Sequence, residues 1–510
     1  MMKNRINDHP FCWIKPLYIA LLALALSACA SNPQTAPPTG AAGVLPAAYS
    51  EVGEVGDLGE AGARGENSAG KGTGTALAEN WWRAFGSAQL SSLIETALLD
   101  SADMKIALER IRQAQAQASI AGASLFPQLN ASVGAVRRES RGGNSGAGNG
   151  SNGGTSNGTS NYSASLAASY EVDVWQKNSA AASSAQFALL ATRHERASVG
   201  LSLTGGVASA YFQLLSLRQR IQLTQENIAI AQRILALVQV RVDAGAASAL
   251  DSANQQAALL KQQAQLPPLQ LAERQILHAL ALLLGQLPEG FVVASMALED
   301  LNLPAVEPGL PSSLLLRRPD LASLEAQLAQ AHANLAQARA ALFPSISLTA
   351  SAGAASSSLH ELVSGPTLAI SLGAGLLQPI FDAGRLRSEV AIAASRQQEL
   401  ALGYRKAVLV ALAEVENALV ARTRLAQQEH LLDAAQQQAA RALRLAQVRY
   451  RAGEDDLIVM LEAQRTLFQA KDQRAQIRES RLQAAVALMK ALGGAARMPH
   501  GMDEQRLHAR

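Results

Sequence analysis

Between residues 128 and 139 apolar positions alternate with small polar ones: Leu129, Ala131, Val133 and Ala135 against Asn130, Ser132 and Gly134. A period of two predicts a strand with two unlike faces. The same alternation returns at about 162–174, where Ala164, Leu166, Ala168, Tyr170, Val172 and Val174 oppose Ser163, Ser165, Ser169, Glu171 and Asp173. It returns again at about 345–356 (Ile346, Leu348, Ala350, Ala352) and at about 367–378 (Leu368, Ile370, Leu372, Ala374, Leu376). The first and third strands open alike, on Leu125-Phe126-Pro127 and Leu342-Phe343-Pro344, whose prolines stand 217 residues apart. Proline drives the preceding residue to extended geometry and so ends the helix before it. The chain is therefore read as an internal two-fold repeat, each half carrying two strands among long helices.

The rest of the pattern has helical spacing. Leu90, Leu93, Ile94, Ala97 and Leu98 start a helix expected to continue to about Ser124. Residues 176–242 and 385–451 contain no proline and predict two very long helices, each ending near a glycine in "RVDAG" (Arg241 to Gly245) and "RYRAG" (Arg449 to Gly453). Helices of ~65 residues reach roughly 100 Å. Return helices over about 247–285 and 455–492 would make two antiparallel hairpins with glycine at the turn. On the helix after "RRPD", Leu324, Leu328, Ala331, Leu335, Ala338 and Leu342 line one side and Gln327, Gln330, Asn334 and Gln337 the others. So narrow an apolar seam asks for helix neighbours. Pro319 suits the first helical position and Asp320 the positive helix end, a structural role. Trp81, Trp82 and Phe85 read as a plug fixing the start of the first helix.

The N-terminus changes the setting. Residues 1–28 read as a secretory signal: Lys3 and Arg5, an apolar core from Leu17 to Leu26, then Leu26-Ser27-Ala28-Cys29. Small residues before a cysteine resemble the bacterial lipobox, which implies cleavage before Cys29 and acylation (palmitate) of its thiol. Alanine at position 30 fits the outer membrane. Cys12 would leave with the signal, and with two cysteines in all no intramolecular disulfide remains. Residues 29–78 form a linker rich in Gly, Ala and Pro, read as flexible. The glycine-, asparagine- and serine-rich tract 142–158 reads as a solvated hairpin loop, and 495–510 as a C-terminal tail. The two repeats then occupy 79–310 and 311–494.

Composition narrows the function. A net charge of +3 is too small for a nucleic-acid protein. Gly65 to Lys71 mimics a phosphate loop, but Gly72 stands where Ser or Thr is needed and no strand precedes it. His360-Glu361 begins a zinc motif that fails at Ser364; no GxSxG occurs, and the eight histidines form no ligand pattern. No enzyme, cofactor or metal is expected.

Strands of about 10 residues with one apolar face suit a tilted crossing of a bilayer. Four strands cannot close, and open edges are not tolerated in lipid. Oligomerisation follows: two chains would give a barrel filled by its own side chains, whereas three leave a lumen. The Gln-, Arg- and Glu-studded helices belong in the periplasm.

Specific stretches carry a family likeness: "NWWRAF" at 80–85, both LFP starts, "LLRRPDL" at 315–321, "GAASALDSANQ" at 245–255, "QPIFDAGRL" at 378–386 and "RYRAGEDDLIVMLEAQRTLFQA" at 449–470. From about 79 to 494 the chain resembles the outer-membrane factors of efflux systems, nearest the lipoprotein branch typified by OprM and NodT, with TolC more distant. The resemblance implies a mainly α, mixed fold: a homotrimer with a 12-stranded transmembrane β-barrel, four strands per chain, continued by a long periplasmic α-helical barrel. It implies a passive duct in a tripartite system, exporting small molecules such as drugs, with a periplasmic adaptor and an inner-membrane transporter of the RND class. It also implies a periplasmic gate at residues corresponding to Arg449, Tyr450, Ile458 and Glu462, beside Asp455 and Asp456. Ile458 and Glu462 share a helix face; helix capping is the plain alternative for Asp455 and Asp456. Metal-ion efflux and type I secretion remain as cargo alternatives, and a structural coiled-coil lipoprotein as the non-channel alternative.

Overall fold

The computed structural model describes Tyr49 and residues 80–140, 157–306 and 310–494, all within one unit spanning 46–510. The signal segment with Cys29, nearly all of the linker, the phosphate-loop mimic, most of the 142–158 tract and the C-terminal tail lie outside the described residues. A short 3-10 turn, Trp81–Phe85, leads into α1 (Ala88–Asp100) and α2 (Ala102–Ala123). The strands are β1 (Gln128–Ser140), β2 (Asn157–Val172), β3 (Ser345–Ser356) and β4 (Thr367–Leu377). They form one antiparallel sheet in the order β1-β2-β3-β4. The first hairpin is α3 (Lys177–Asp243) with α4 (Ala249–Gln263) and α5 (Leu266–Leu283). After α6 (Pro319–Ala340), the second is α7 (Arg385–Ala452) with α8 (Leu457–Ala491). At 67 and 68 residues, α3 and α7 are each about 100 Å long.

Three helix expectations need correcting. The helix expected to run unbroken to Ser124 breaks at Ser101, whose backbone is extended and whose hydroxyl accepts from the Asp103 N–H, so it closes one helix and caps the next. The first return helix breaks after Gln263, because Pro267 and Pro268 have no amide hydrogen and fit only a helix's first turn. On α6, Leu328, Ala331 and Leu335 are buried as expected, but Leu321, Ala326, Ala333 and Ala340 are buried too, and Leu342 lies past the helix and is exposed. α6 is sandwiched between α3 and α7, so one seam is not enough. Glycine stands at both hairpin turns for a physical reason: Gly245 and Gly453 have φ of 69° and 80°, a left-handed conformation that strains other residues.

One large apolar core sits at mid-height of the helices. Trp81, Trp82 and Phe85 do more than plug a helix start: Phe85 packs on Phe212 of α3 at 5.0 Å, and all three join a core with Tyr211, Leu214, Leu215, Leu280, Leu482 and Leu488. An extended segment, 286–306, crosses this level and buries Val293, Leu298, Leu301 and Val306. Its backbone is held by arginines from three helices. Arg218 of α3 donates to the Val293 and Ala294 carbonyls, Arg478 of α8 to Leu301 (2.7 Å), and Arg422 of α7 to Val306 (2.8 Å). The Glu299 carboxylate accepts from Gln219 of α3 and Arg474 of α8. This belt ties both hairpins at one height.

A second knot lies at the start of α6. Buried Arg318 donates twice to Asp320 (3.1 and 2.8 Å), once to Glu414 of α7 (2.6 Å) and once to the Ala491 carbonyl at the end of α8 (3.1 Å). The planar fork of arginine meets all three at once, which a lysine cannot. Losing it orphans the Ala491 carbonyl, at a cost of about 1–3 kcal/mol. Arg318→Ala should therefore lower the thermal unfolding midpoint measured by circular dichroism, and Arg318→Lys should not restore it; a wild-type midpoint in either variant would contradict this role.

Candidate functional site: sheet wall and hairpin tip

The register sorts the sheet into two faces. One transverse row pairs Ala131 with Leu166, Leu166 with Ala352, and Ala352 with Ile370; the next pairs Ser132 with Ser165, Ser165 with Gly353, and Gly353 with Ala369. On the first face Val133, Ile370 and Leu372 are 82–85% exposed in the single chain, far more bare apolar surface than water tolerates. Along its middle the second face carries mostly Ser, Thr, Gly, Ala and Asn, and many of its hydroxyls are occupied. Ser345, Ser347 and Thr349 each donate to the carbonyl of their β4 partner, Leu377, Gly375 and Gly373, at 3.4–3.5 Å. Ser132 with Ser165, and Ser351 with Ser371, pair at 2.8 Å. A side chain at Gly373 would put its Cβ 2.9 Å from the Thr349 hydroxyl, so glycine opposite a hydroxyl keeps this wall flat. The Thr349/Gly373 pairing becomes visible only once the strand register is known, and the sequence reading missed it.

β1 and β4 are the two edges, each with a row of unpaired backbone groups. Both strand-to-helix passages are built alike. Asp173 accepts from the Asn178 and Ser179 amides at the start of α3, and Asp382 from the Gly384 and Leu386 amides at the start of α7. Burial alone would raise the Asp173 carboxyl, but the Ser179 hydroxyl and these amides more than offset it and hold it below its ordinary range. The Leu386 amide chiefly does the same for Asp382. Beside them Trp175 stacks on Phe343 at 4.8 Å and donates its indole N–H to the Pro344 carbonyl, locking the two halves' junctions together.

At the other end stands the tip of the second hairpin. Arg449 pairs with Asp455 (2.9 Å) and, more loosely, with Glu454 (3.7 Å) across the turn. Tyr450 is buried with Met460, and the Arg241 guanidinium of the first hairpin lies 5.1 Å from its ring centroid. Ile458 is exposed, and Glu462, also exposed, faces Arg465 at 3.5 Å. Asp456 occupies the N-cap of α8, but its side chain makes no capping bond. Arg449, Tyr450 and Asp455 thus gather at the turn, while Ile458 and Glu462 lie exposed on α8. Near the tip of the first hairpin a groove of ≈ 750 Å³ runs between α3 and α4, lined by Gln232, Leu235, Gln239, Val242, Ser252 and Gln256. Among the described residues no helix is long and apolar enough to cross a membrane.

A sheet with a lipid-compatible face that runs into polar helical hairpins about 100 Å long defines a subunit of an outer-membrane channel. The Campylobacter jejuni CmeC outer membrane channel shares this build: TM-score 0.76 at 26% identity, over 86% of this chain and 94% of that one. The sequence profile of the outer membrane efflux protein family matches residues 93–286 and 310–494, and the chain belongs to that family. The pyoverdine export outer membrane protein OpmQ of Pseudomonas aeruginosa is 42% identical over 414 residues, 81% of this chain and 87% of the relative. The protein of the same name from Pseudomonas putida is 39% identical over 480 residues, 94% of this chain and 97% of its own. The protein is an outer-membrane efflux channel component.

The two faces give a direct test. Ile370→Arg places charge on the lipid side, at about 2–4 kcal/mol near mid-bilayer. It should abolish recovery from outer-membrane fractions, whereas Ser371→Arg should be recovered at wild-type levels. Equal recovery of the two variants would mean that the faces are misassigned.

Proposed function

We propose that three chains close a barrel of twelve strands, each chain's β1 pairing with a neighbour's β4, and that the helices continue the barrel into the periplasm as a passive duct. The open-edged four-stranded sheet carries this reading. In hydrocarbon each unpaired backbone group is expensive, and a single-chain barrel starts at about eight strands. The flat, hydroxyl- and glycine-bearing wall suits a water-filled lumen. The family likeness supports the partners: a periplasmic adaptor, whose helices the groove between α3 and α4 could receive, and an inner-membrane transporter of the RND class that supplies the energy. Both relatives named above export pyoverdine, which favours pyoverdine or a related compound as cargo over the broader class of drugs.

The duct narrows, in this reading, at the second hairpin tip. Symmetry would gather three copies each of Ile458 and Glu462 into an apolar ring and an acidic ring, while Arg449, Tyr450, Asp455 and Asp456 hold the turn. The exposure of Ile458 and Glu462 in the single chain supports the rings. The Cys29 thiol carries lipid in this account, with the barrel providing membrane insertion of its own.

Two measurements follow. In planar bilayers Glu462→Gln should reduce cation preference, since the acidic ring becomes neutral; an unchanged preference would remove Glu462 from the constriction. Cys29→Ala should lose its acyl label yet still migrate as a heat-modifiable trimer, and loss of the trimer would show that the lipid is needed for assembly.

A further inference from the structure

We propose that each chain carries a binding site for a phosphorylated glycolipid of the outer leaflet, on the lipid face of its sheet near the extracellular end. Arg137 takes the phosphate, and an apolar groove beside it takes an acyl chain. The inference rests on the duct reading above, which puts this face in lipid and the strand ends remote from the helices outside the cell.

The apolar face is not uniform. A groove of ≈ 460 Å³ crosses it, walled by Val133 and Leu166 on one side and by Leu368 and Ile370 on the other, over a floor at Ala352 and Ala354. The relief comes from the register, which sets large residues beside small ones: Val133 pairs with Ala164, Ala164 with Ala354, and Ala354 with Leu368. A hydrocarbon chain lying between such walls gains dispersion contacts on three sides, where a flat wall offers them on one.

The rows beyond the groove set its depth. The next row outward on this face is Ala135, Tyr162 and Ser356, and the one after it pairs Arg137 with Ser160. Tyrosine suits a membrane interface, its ring among acyl chains and its hydroxyl among headgroups. Arg137 is exposed and stands ~13 Å along the strand from Val133. That is the scale of the distance from a lipid's phosphate to the middle of its acyl chains. The arginine stem can lie on the sheet while the guanidinium stays at headgroup depth, where its planar donors match a phosphate. Arg138, the next residue, pairs with Thr159 and belongs to the other face. One arginine of the two therefore faces lipid. The lipids at this depth in a bacterial outer leaflet are phosphorylated glycolipids with several acyl chains, and they supply both parts the site asks for.

The test titrates the full-length trimer, extracted from outer membranes into detergent, with lipid A or with phosphatidylglycerol, and counts bound lipid by native mass spectrometry. Heat-modifiable migration confirms that each variant is assembled. Wild type should bind one lipid A per chain, and phosphatidylglycerol more weakly. Arg137→Ser should weaken lipid A binding roughly tenfold, the scale of one charge-assisted hydrogen bond. Arg138→Ser should leave it unchanged. Ala352→Phe with Ala354→Phe fills the groove, keeps the face apolar and should weaken binding with the charge intact. Wild-type affinity in Arg137→Ser or in the groove-filled trimer would overturn the site. Equal losses in Arg137→Ser and Arg138→Ser, or phosphatidylglycerol bound as tightly as lipid A, would overturn it as well. A wild-type chain that forms no trimer in the outer membrane would instead overturn the duct reading itself.

Discussion

A backbone amide in hydrocarbon must find a partner, and this chain cannot supply enough of them by itself. Its sheet of four strands ends at β1 on one side and β4 on the other. In water such edges are an aggregation hazard; in a bilayer they forbid the monomer outright. Much of the remaining design is intelligible as service to that constraint. Alternation along each strand gives one face to lipid and the other to solvent. The two halves supply matched pairs of strands, and the carboxylates of Asp173 and Asp382 each accept backbone amides at the start of a long helix.

The helical body is graded from its middle to its tip. At mid-height the core is large and aromatic, and the extended segment 286–306 is belted to α3, α7 and α8 by Arg218, Arg422, Arg474 and Arg478. Toward the tips, contact between the hairpins includes amides, ion pairs, one cation–aromatic contact and a small apolar cluster of Tyr450 and Met460 with Ile234. Apolar cores are directionless and costly to open; polar rungs are specific and exchange with water once it reaches them.

The sequence disclosed the parts with strict period. β3 was expected at 345–356 and spans Ser345–Ser356, and the long helices were placed within about a residue at each end, because alternation and the absence of proline are local signals. The break at Ser101 was hidden because serine is compatible with a helix until its hydroxyl is seen to cap Asp103. The break before Leu266 is encoded locally, by Pro267 and Pro268 in the first turn of α5. What no local pattern contains is pairing at a distance. Arg318 with Glu414, Arg478 with the Leu301 carbonyl, Thr349 over Gly373 and Asn227 with Gln464 each join segments far apart in the chain. At the tip, Arg449 and Tyr450 were singled out by family likeness; the contacts they make, with Asp455 and Arg241, come only from the folded geometry.

The edge argument can be tested by covalent capture. Within one chain β1 and β4 are separated by two strands, three steps of about 4.8 Å, or roughly 14 Å, beyond the reach of a disulfide. Cysteine pairs placed one on β1 within 129–135 and one on β4 within 368–376 can therefore bond only between chains. Oxidation in outer-membrane vesicles should yield a ladder that stops at a covalent trimer for at least one register. Cysteines that remain monomeric in every register, or that stop at dimers, would contradict closure of the sheet by three chains.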